Sequence, residues 1–318
     1  MQPDRTTIDA AARIVHAHMA PTPQYCWPML CQYLGAEVWV KHENHTPTGA
    51  FKVRGGLVYF DHLARSQALQ QGVISATRGN HGQSIGFAAK CHGIAATIVV
   101  PRDNSPAKND AMRALGVELI EHGEDFQAAR EHAQALAAGH GLHMVPAYHP
   151  LLVAGVATYG HELLSKVSDL DAVYVPIGIG SGVSAMMAVR DVLGLKTAVI
   201  GVVSAHARAY AASFQAKSPV EAPAQTSLAD GLACRVPEPA ALEVISKGVE
   251  RIVEVTDAEV AAAMRLLFDC THNVAEGAGA ASLAAAMQER DIMAGRKVAV
   301  VLSGGNVDRD VYAAVLGG

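Results

Sequence analysis

Lys41-His42-Glu43-Asn44-His45-Thr46-Pro47-Thr48-Gly49-Ala50-Phe51-Lys52-Val53-Arg54-Gly55-Gly56 is the stretch on which the reading of this chain turns. It follows a strand-like run, Ala36–Lys41, and passes through a proline- and glycine-bearing turn into helical spacing. Phe51 and Lys52 are therefore expected at the start of a helix. A lysine becomes nucleophilic when its surroundings lower its pKa, and a Schiff base with an aldehyde is the usual use of such a group. Taken alone, a lysine beside an arginine is an ordinary solvated charge, so the rest of the chain has to decide.

Working outward, short β-branched runs alternate with alanine-rich helical patterns. Strands are expected at Ala36–Lys41, Val73–Ala76, Ala95–Val100, Val117–Ile120 and Leu142–Val145. A second set is expected at Asp171–Ile177, Thr197–Val203, Arg251–Val255 and Lys297–Leu302. Several are continuously apolar, as strands covered on both faces must be. Segments such as Phe126–Ala138 and Asp257–Phe268 carry apolar residues at helical spacing. The alternation predicts an α/β chain with two parallel-type open twisted sheets flanked by helices. No repeat or linker marks a boundary, and Ser218–Gln225, with two prolines, reads as a surface loop.

Three further turns carry potential chemistry. Ala76-Thr77-Arg78-Gly79-Asn80-His81-Gly82-Gln83-Ser84 runs from a strand end into a helix, where free N–H groups suit a carboxylate. The bland alternative is a β-to-α turn capped by Asn80. Val175-Pro176-Ile177-Gly178-Ile179-Gly180-Ser181-Gly182 has the strand, glycine turn and helix that cradle phosphate. It lacks the final spacing and the acidic ribose partner of a dinucleotide fingerprint. Val298–Asp308 delivers Ser303 from an apolar strand into Gly304-Gly305, at the strand end where open α/β sheets place ligands. By itself Ser303 is more often a turn residue bonded to its own backbone.

Composition narrows the classes. Half of the 318 residues are apolar and 17% are charged, enough to bury a sizeable core. A net charge of -5 without a basic block argues against nucleic acid or an anionic membrane as partner. The five cysteines show no C-x-x-C spacing and read as reduced thiols of a cytoplasmic protein. The fifteen histidines include no metal-ligand spacing: His161-Glu162 begins one, but Ser165 stands where the second histidine would be, so no metal site is expected. Ala172–Val189 approaches membrane-span length, yet Pro176, Gly178, Gly180 and Gly182 fit a strand, turn and helix better. The N-terminus lacks a signal-peptide pattern, and a soluble protein is expected.

In this order, the four segments resemble those of the fold-type II pyridoxal-phosphate enzymes, the threonine dehydratase and serine racemase family, related in fold to tryptophan synthase β. The match runs from about Ala11 to Asp308, and its most specific part is Lys41-x-Glu43-Asn44-x-x-Pro47-Thr48-Gly49-Ala50-Phe51-Lys52-x-Arg54-Gly55. The resemblance implies pyridoxal 5'-phosphate as cofactor, held as a Schiff base by Lys52 with Phe51 near its ring. It implies that Asn80 bonds the 3′-oxygen, that Gly178, Ile179, Gly180, Ser181 and Gly182 hold the phosphate, and that Ser303 meets the ring nitrogen. Glu276, in Val274-Ala275-Glu276-Gly277, matches an acidic position near the cofactor. Thr77, Arg78, Gly79, Asn80 and His81 fall in the turn that binds the substrate carboxylate.

The resemblance also implies a large cofactor-binding domain, residues 1–51 and 147–318, a small substrate-gating domain, residues 52–146, and a homo-oligomer, most simply a dimer. The implied reaction is an ammonia-lyase converting a β-hydroxy-α-amino acid to a 2-keto acid and ammonia. A racemase, or a non-catalytic phosphate-ligand binding protein, are the alternatives. Arg78 departs from the pattern, standing where racemases carry a serine. Arginine does not give up its proton, so a catalytic role for Arg78 is expected toward a second carboxylate, the phosphate or the leaving hydroxyl. Of possible cation ligands in the loop after the phosphate turn, only Glu221 and Asp230 are present. The chain stops soon after Asp308, so no regulatory domain like that of biosynthetic threonine dehydratases is expected.

Overall fold

The computed structural model describes residues 2–66 and 71–318. Among these residues ten strands form two sheets: β1 (Gln24–Cys26), β2 (Glu37–His42), β3 (Val73–Ala76), β4 (Ala96–Val100), β5 (Glu118–Glu121), β6 (His143–Met144), β7 (Ala172–Pro176), β8 (Ala198–Ser204), β9 (Arg251–Val255) and β10 (Lys297–Leu302). The larger sheet has the order β1-β2-β10-β7-β8-β9 and the smaller β5-β4-β3-β6. Every pairing is parallel except β1 with β2. The fold class read from the sequence is thus observed, and each expected strand lies within one or two residues of its place. The strand β1, too short and too polar to show a period, was not expected.

Alternation along β10 explains why that run is apolar throughout. Val298, Val300 and Leu302 enter the core on one face of the larger sheet, and Ala299 and Val301 enter the core on the other. Both faces are covered by helices, so neither set can be polar. The smaller sheet packs its Val73, Ile98 and Val100 side with Val53, Leu57, Phe60 and Ile85 of two helices, Lys52–Ser66 and Asn80–His92.

The helix Lys52–Ser66 lies between neighbours on two sides. A Cβ on Gly55 would lie 2.8 Å from the Leu152 carbonyl oxygen of the helix Pro150–Leu164, and one on Gly56 would lie 2.9 Å from that of Ser84. Only glycines permit that approach. Ala172–Val189 proves to be β7, a glycine turn and the start of the helix Ser181–Val192. Among the described residues no helix is long and apolar enough to cross a membrane.

Candidate active site

Four of the turns singled out above leave the C-terminal ends of parallel strands: β2, β3, β7 and β10. Backbone bonds join the first to the last. Phe51 N donates to Ser303 O at 3.0 Å and Gly305 N to Gly49 O at 2.9 Å, with Ala50 bridged to Gly304. Lys52 is therefore fixed at the first position of its helix by the β10 turn, and Ser84 Oγ adds a bond to its carbonyl at 2.7 Å.

Lys52 is surrounded by protein yet keeps part of its surface open. Burial lowers its pKa, opposed by the weaker attraction of Glu276. Its Nζ lies 5.3 Å from the centre of the Phe51 ring. A lysine so placed is more readily neutral, which is the condition for nucleophilic or basic work.

The turn after β3 does not use Asn80 as a cap. Gly79 occupies the cap position, with no side-chain cap bond, and Asn80 begins the helix. The Asn80 amide instead donates to Glu276 Oε1 at 2.7 Å and accepts from Asn306 Nδ2 at 2.8 Å. Among the described residues, one of its two N–H groups has no acceptor. Glu276 is buried, and burial raises its pKa against the pull of Lys108, Asn80 and Lys52. Within the turn, Thr77 Oγ1 accepts from Gly79 N at 3.2 Å. His81 is held neutral: burial, and then the charge of Lys52, push it down to about 3. Its Nε2 is buried without a hydrogen-bond partner among the described residues. Arg78 is partly exposed and reaches Asp103 only at 3.4 Å.

After β7, Gly180 takes φ 101° and precedes the helix Ser181–Val192, whose first turn has no side-chain cap. Its backbone donors are thus open to an anion. A Cβ on Gly178 would run into the Gly231 carbonyl oxygen, and one on Gly180 would lie 2.6 Å from Ala241 Cβ. Tyr210 Oη shores the turn by donating to Ile179 O at 2.8 Å, and Tyr159 Oη donates to Gly182 O at 3.2 Å. Ser303 is buried, and its hydroxyl bonds not to its own turn but, at 3.4 Å, to Ala278 O. So long a bond leaves the hydroxyl available to a better acceptor.

The other residues of the opening motif have a different employment. Arg54 is buried and donates to Glu43 at 2.7 and 3.0 Å, to Glu162 at 2.7 and 2.9 Å, to Thr158 at 2.8 Å and to Thr22 at 3.2 Å. Lys41, also buried, donates to Glu162 at 2.6 Å. Two cations thus balance two carboxylates behind the nucleophile's helix. Burial would raise Glu162, but Arg54 and Lys41 prevail and hold it at about 2. Glu162, met in the sequence as half of a failed metal motif, is part of the site's foundation.

A cleft of about 370 Å³ opens above Glu276, lined among others by Arg78, Lys108, Asp230, Asn306 and Asp308. A hollow of about 380 Å³ between Ala89 and Leu115 has only Lys90 and Arg113 as ionisable lining and touches none of the motif residues. Lys108 and Asn306 were missed as site residues. Asn306 stands inside the quoted Ser303 string, whereas Lys108 is an isolated lysine in the helix Pro106–Ala114 with no local signal. Glu221 and Asp230 do not form a metal cluster, and among the described residues there is none.

A family model described as pyridoxal-phosphate dependent enzyme matches residues 15–304. The chain belongs to that family. This pyridoxal-phosphate enzyme is 35% identical over 281 residues to an L-threonine ammonia-lyase of Thermotoga maritima, covering 88% of the chain and 70% of the relative. It is 32% identical to an L-threo-3-hydroxyaspartate ammonia-lyase of Saccharomyces cerevisiae, covering 98% of the chain and 95% of the relative. A solved pyridoxal 5'-phosphate-dependent aspartate racemase superposes with a TM-score of 0.90 at 26% identity, over 98% of each chain. The residues present fit the cofactor: an amine whose pKa burial lowers, a glycine turn without a side-chain cap and a loosely bonded hydroxyl all lie in turns at the C-terminal ends of β2, β7 and β10.

Proposed function

We propose that the protein is an ammonia-lyase that eliminates water from a β-hydroxy-α-amino acid, yielding a 2-keto acid and ammonia. Pyridoxal phosphate, when bound, supplies the electron sink that acidifies the substrate's α-carbon. Lys52 Nζ, made easier to deprotonate by burial, takes the α-proton. The observation that carries this reading over a two-base reaction is Arg78, which by the family resemblance stands where racemases carry a serine and which stays protonated. The turn Thr77, Arg78, Gly79, Asn80 and His81 orients the substrate's α-carboxylate through its free N–H groups, which leaves the Arg78 side chain uncommitted. Gly178, Ile179, Gly180, Ser181 and Gly182 would hold the phosphate through backbone amides, Asn80 would bond the cofactor's 3′-oxygen, Phe51 and Glu276 would lie near its ring, and Ser303 Oγ would serve its nitrogen. A hydroxyl there, unlike a carboxylate, does not enforce ring protonation, which suits prompt loss of a β-substituent.

The relatives' printed activities support threonine and 3-hydroxyaspartate as substrate types. The aspartate racemase likeness favours racemisation as the second reading. The same proposal divides the chain into residues 1–51 with 147–318 around the cofactor and residues 52–146 as the gate, in a cytoplasmic homodimer. The test is keto-acid release from holoenzyme across L-threonine, L-serine, threo-3-hydroxyaspartate and phenylserine, with chiral analysis of recovered substrate. Keto acid is expected from at least one, and Lys52→Ala should abolish both turnover and the cofactor's visible absorbance. Racemised substrate without keto acid, or a protein that cannot be loaded with cofactor, would overturn the reading.

A further inference from the structure

Arg78 and Lys108 are the two cations of the cleft, and both are loosely held. Arg78 Nη1 stands 3.4 Å from Asp103 Oδ1, and Lys108 Nζ stands 3.7 Å from Asp230 Oδ2. Charge-assisted bonds close to about 2.7–2.9 Å, as Arg54 does with Glu43 and Glu162. The cations lie deeper than their partners: side-chain exposure is 32% against 63% for Arg78 and Asp103, and 18% against 47% for Lys108 and Asp230. The aspartates thus sit at the rim in solvent, where their attraction is screened.

The Lys108 stem lies across the turn proposed for the substrate carboxylate, since a Cβ on Gly79 would come within 2.8 Å of Lys108 Cδ. The remaining acids nearby are engaged elsewhere. Asp308 accepts from Ser105 Oγ at 2.6 Å, and Glu276 accepts from Asn80 while burial favours its protonated form. The inner wall of the cleft therefore offers two cations with unfilled bonding capacity, beside a turn that already reads one carboxylate.

We infer that Arg78 and Lys108 form a second anion subsite that reads a carboxylate on the substrate's side chain, making the preferred substrate a dicarboxylic β-hydroxy-α-amino acid. This inference rests on the lyase reading for the reaction but not for the binding. A side-chain carboxylate would accept from the Arg78 guanidinium and the Lys108 ammonium and displace water, leaving the rim aspartates in place. Threonine, with a methyl group there, would leave both cations as they are.

The test compares inhibition or binding of the holoenzyme by L-aspartate and L-2-aminobutyrate, neither of which carries a β-hydroxyl to eliminate. Aspartate is expected to bind roughly 10- to 100-fold more tightly, the range of one or two charged hydrogen bonds. Lys108→Met should reduce that preference about tenfold, Lys108→Arg should restore it, and Asp230→Asn should increase it by freeing the lysine. The last change runs opposite to any effect of structural damage. The ratio of kcat/KM for threo-3-hydroxyaspartate over threonine should follow the same order. Equal binding of the two ligands, or an unchanged preference in Lys108→Met, would overturn the subsite even if threonine is turned over. Tighter binding of L-2,3-diaminopropionate than of aspartate would overturn it too, by making the rim aspartates the readers. Aspartate preference without keto acid from any substrate would keep the subsite and remove the lyase.

Discussion

Replacing Arg54 with methionine should cost far more stability than its distance from the reacting atoms suggests. The side chain donates six hydrogen bonds, four of them to the carboxylates of Glu43 and Glu162. Without it, two buried carboxylates share one buried cation, Lys41. Breaking a buried pair by removing one partner costs about 3–5 kcal/mol, because the charge left behind is neither solvated nor paired. A domain's whole stability is roughly 5–15 kcal/mol, so the change is a large fraction of it. The assay is urea unfolding of holoenzyme at pH 7.5 followed by circular dichroism. Arg54→Met/Glu43→Gln restores charge balance, leaving Lys41 with Glu162, and should recover at least about 1 kcal/mol over the single variant. A loss below about 1 kcal/mol for Arg54→Met, or a double variant weaker than the single, would refute the view that charge balance is what the cluster secures.

Gly180→Ala should leave the fold intact but weaken cofactor loading at least about tenfold. The new Cβ meets Ala241 Cβ at 2.6 Å in a φ 101° turn, and such strain costs on the order of 1–3 kcal/mol. Spectroscopic titration of apoprotein with pyridoxal phosphate reads this directly, and wild-type affinity would count against the cradle. Acid should destabilise the protein from an unusually high pH. Burial holds His42 at about 4 and His81 at about 3, below the ordinary imidazole value of 6.5. Both folded values are depressed, so below pH 6.5 the unfolded chain binds protons that the folded chain refuses, and stability falls with pH. Each imidazole contributes up to about 1.4 kcal/mol per pH unit. Glu162, also depressed, adds its loss as pH falls from 4.5 towards 2. Urea midpoints at pH 7.5, 6.0 and 5.0 should decline, and a flat series would contradict the buried neutral imidazoles.

What could be read in the sequence divides by range of interaction. β7 and β10 were legible because strands buried on both faces must be apolar at every position, a property of a few consecutive residues. The glycine turn at 178–182 was legible for the same reason: the backbone conformation it needs restricts its own residue types. Asn80 was half legible. Its place in the turn was clear, but its partners Glu276 and Asn306 lie 196 and 226 residues away, and a helix cap was the nearer explanation. Lys108 could not be found, because one lysine in a solvent-facing helical pattern differs in nothing local from one that leans over Gly79.

The opening motif holds the plainest case of residues whose chemistry misleads. Lys41, Glu43 and Arg54 are ionisable and stand close to a nucleophilic lysine, which invites catalytic roles. Buried behind the helix instead, Lys41 and Arg54 meet Glu162 across the molecule while Glu43 accepts from Arg54, so that the cluster binds the first turn of that helix from the inside, and Ser303 and Gly305 bind the preceding loop from the outside. Lys52 thus has its backbone clamped on both sides while its side chain is largely enclosed by protein. A base must be readily deprotonated and correctly aimed, and here the two requirements are met by different groups. Burial adjusts the proton affinity, and a charge cluster that touches no substrate supplies the aim.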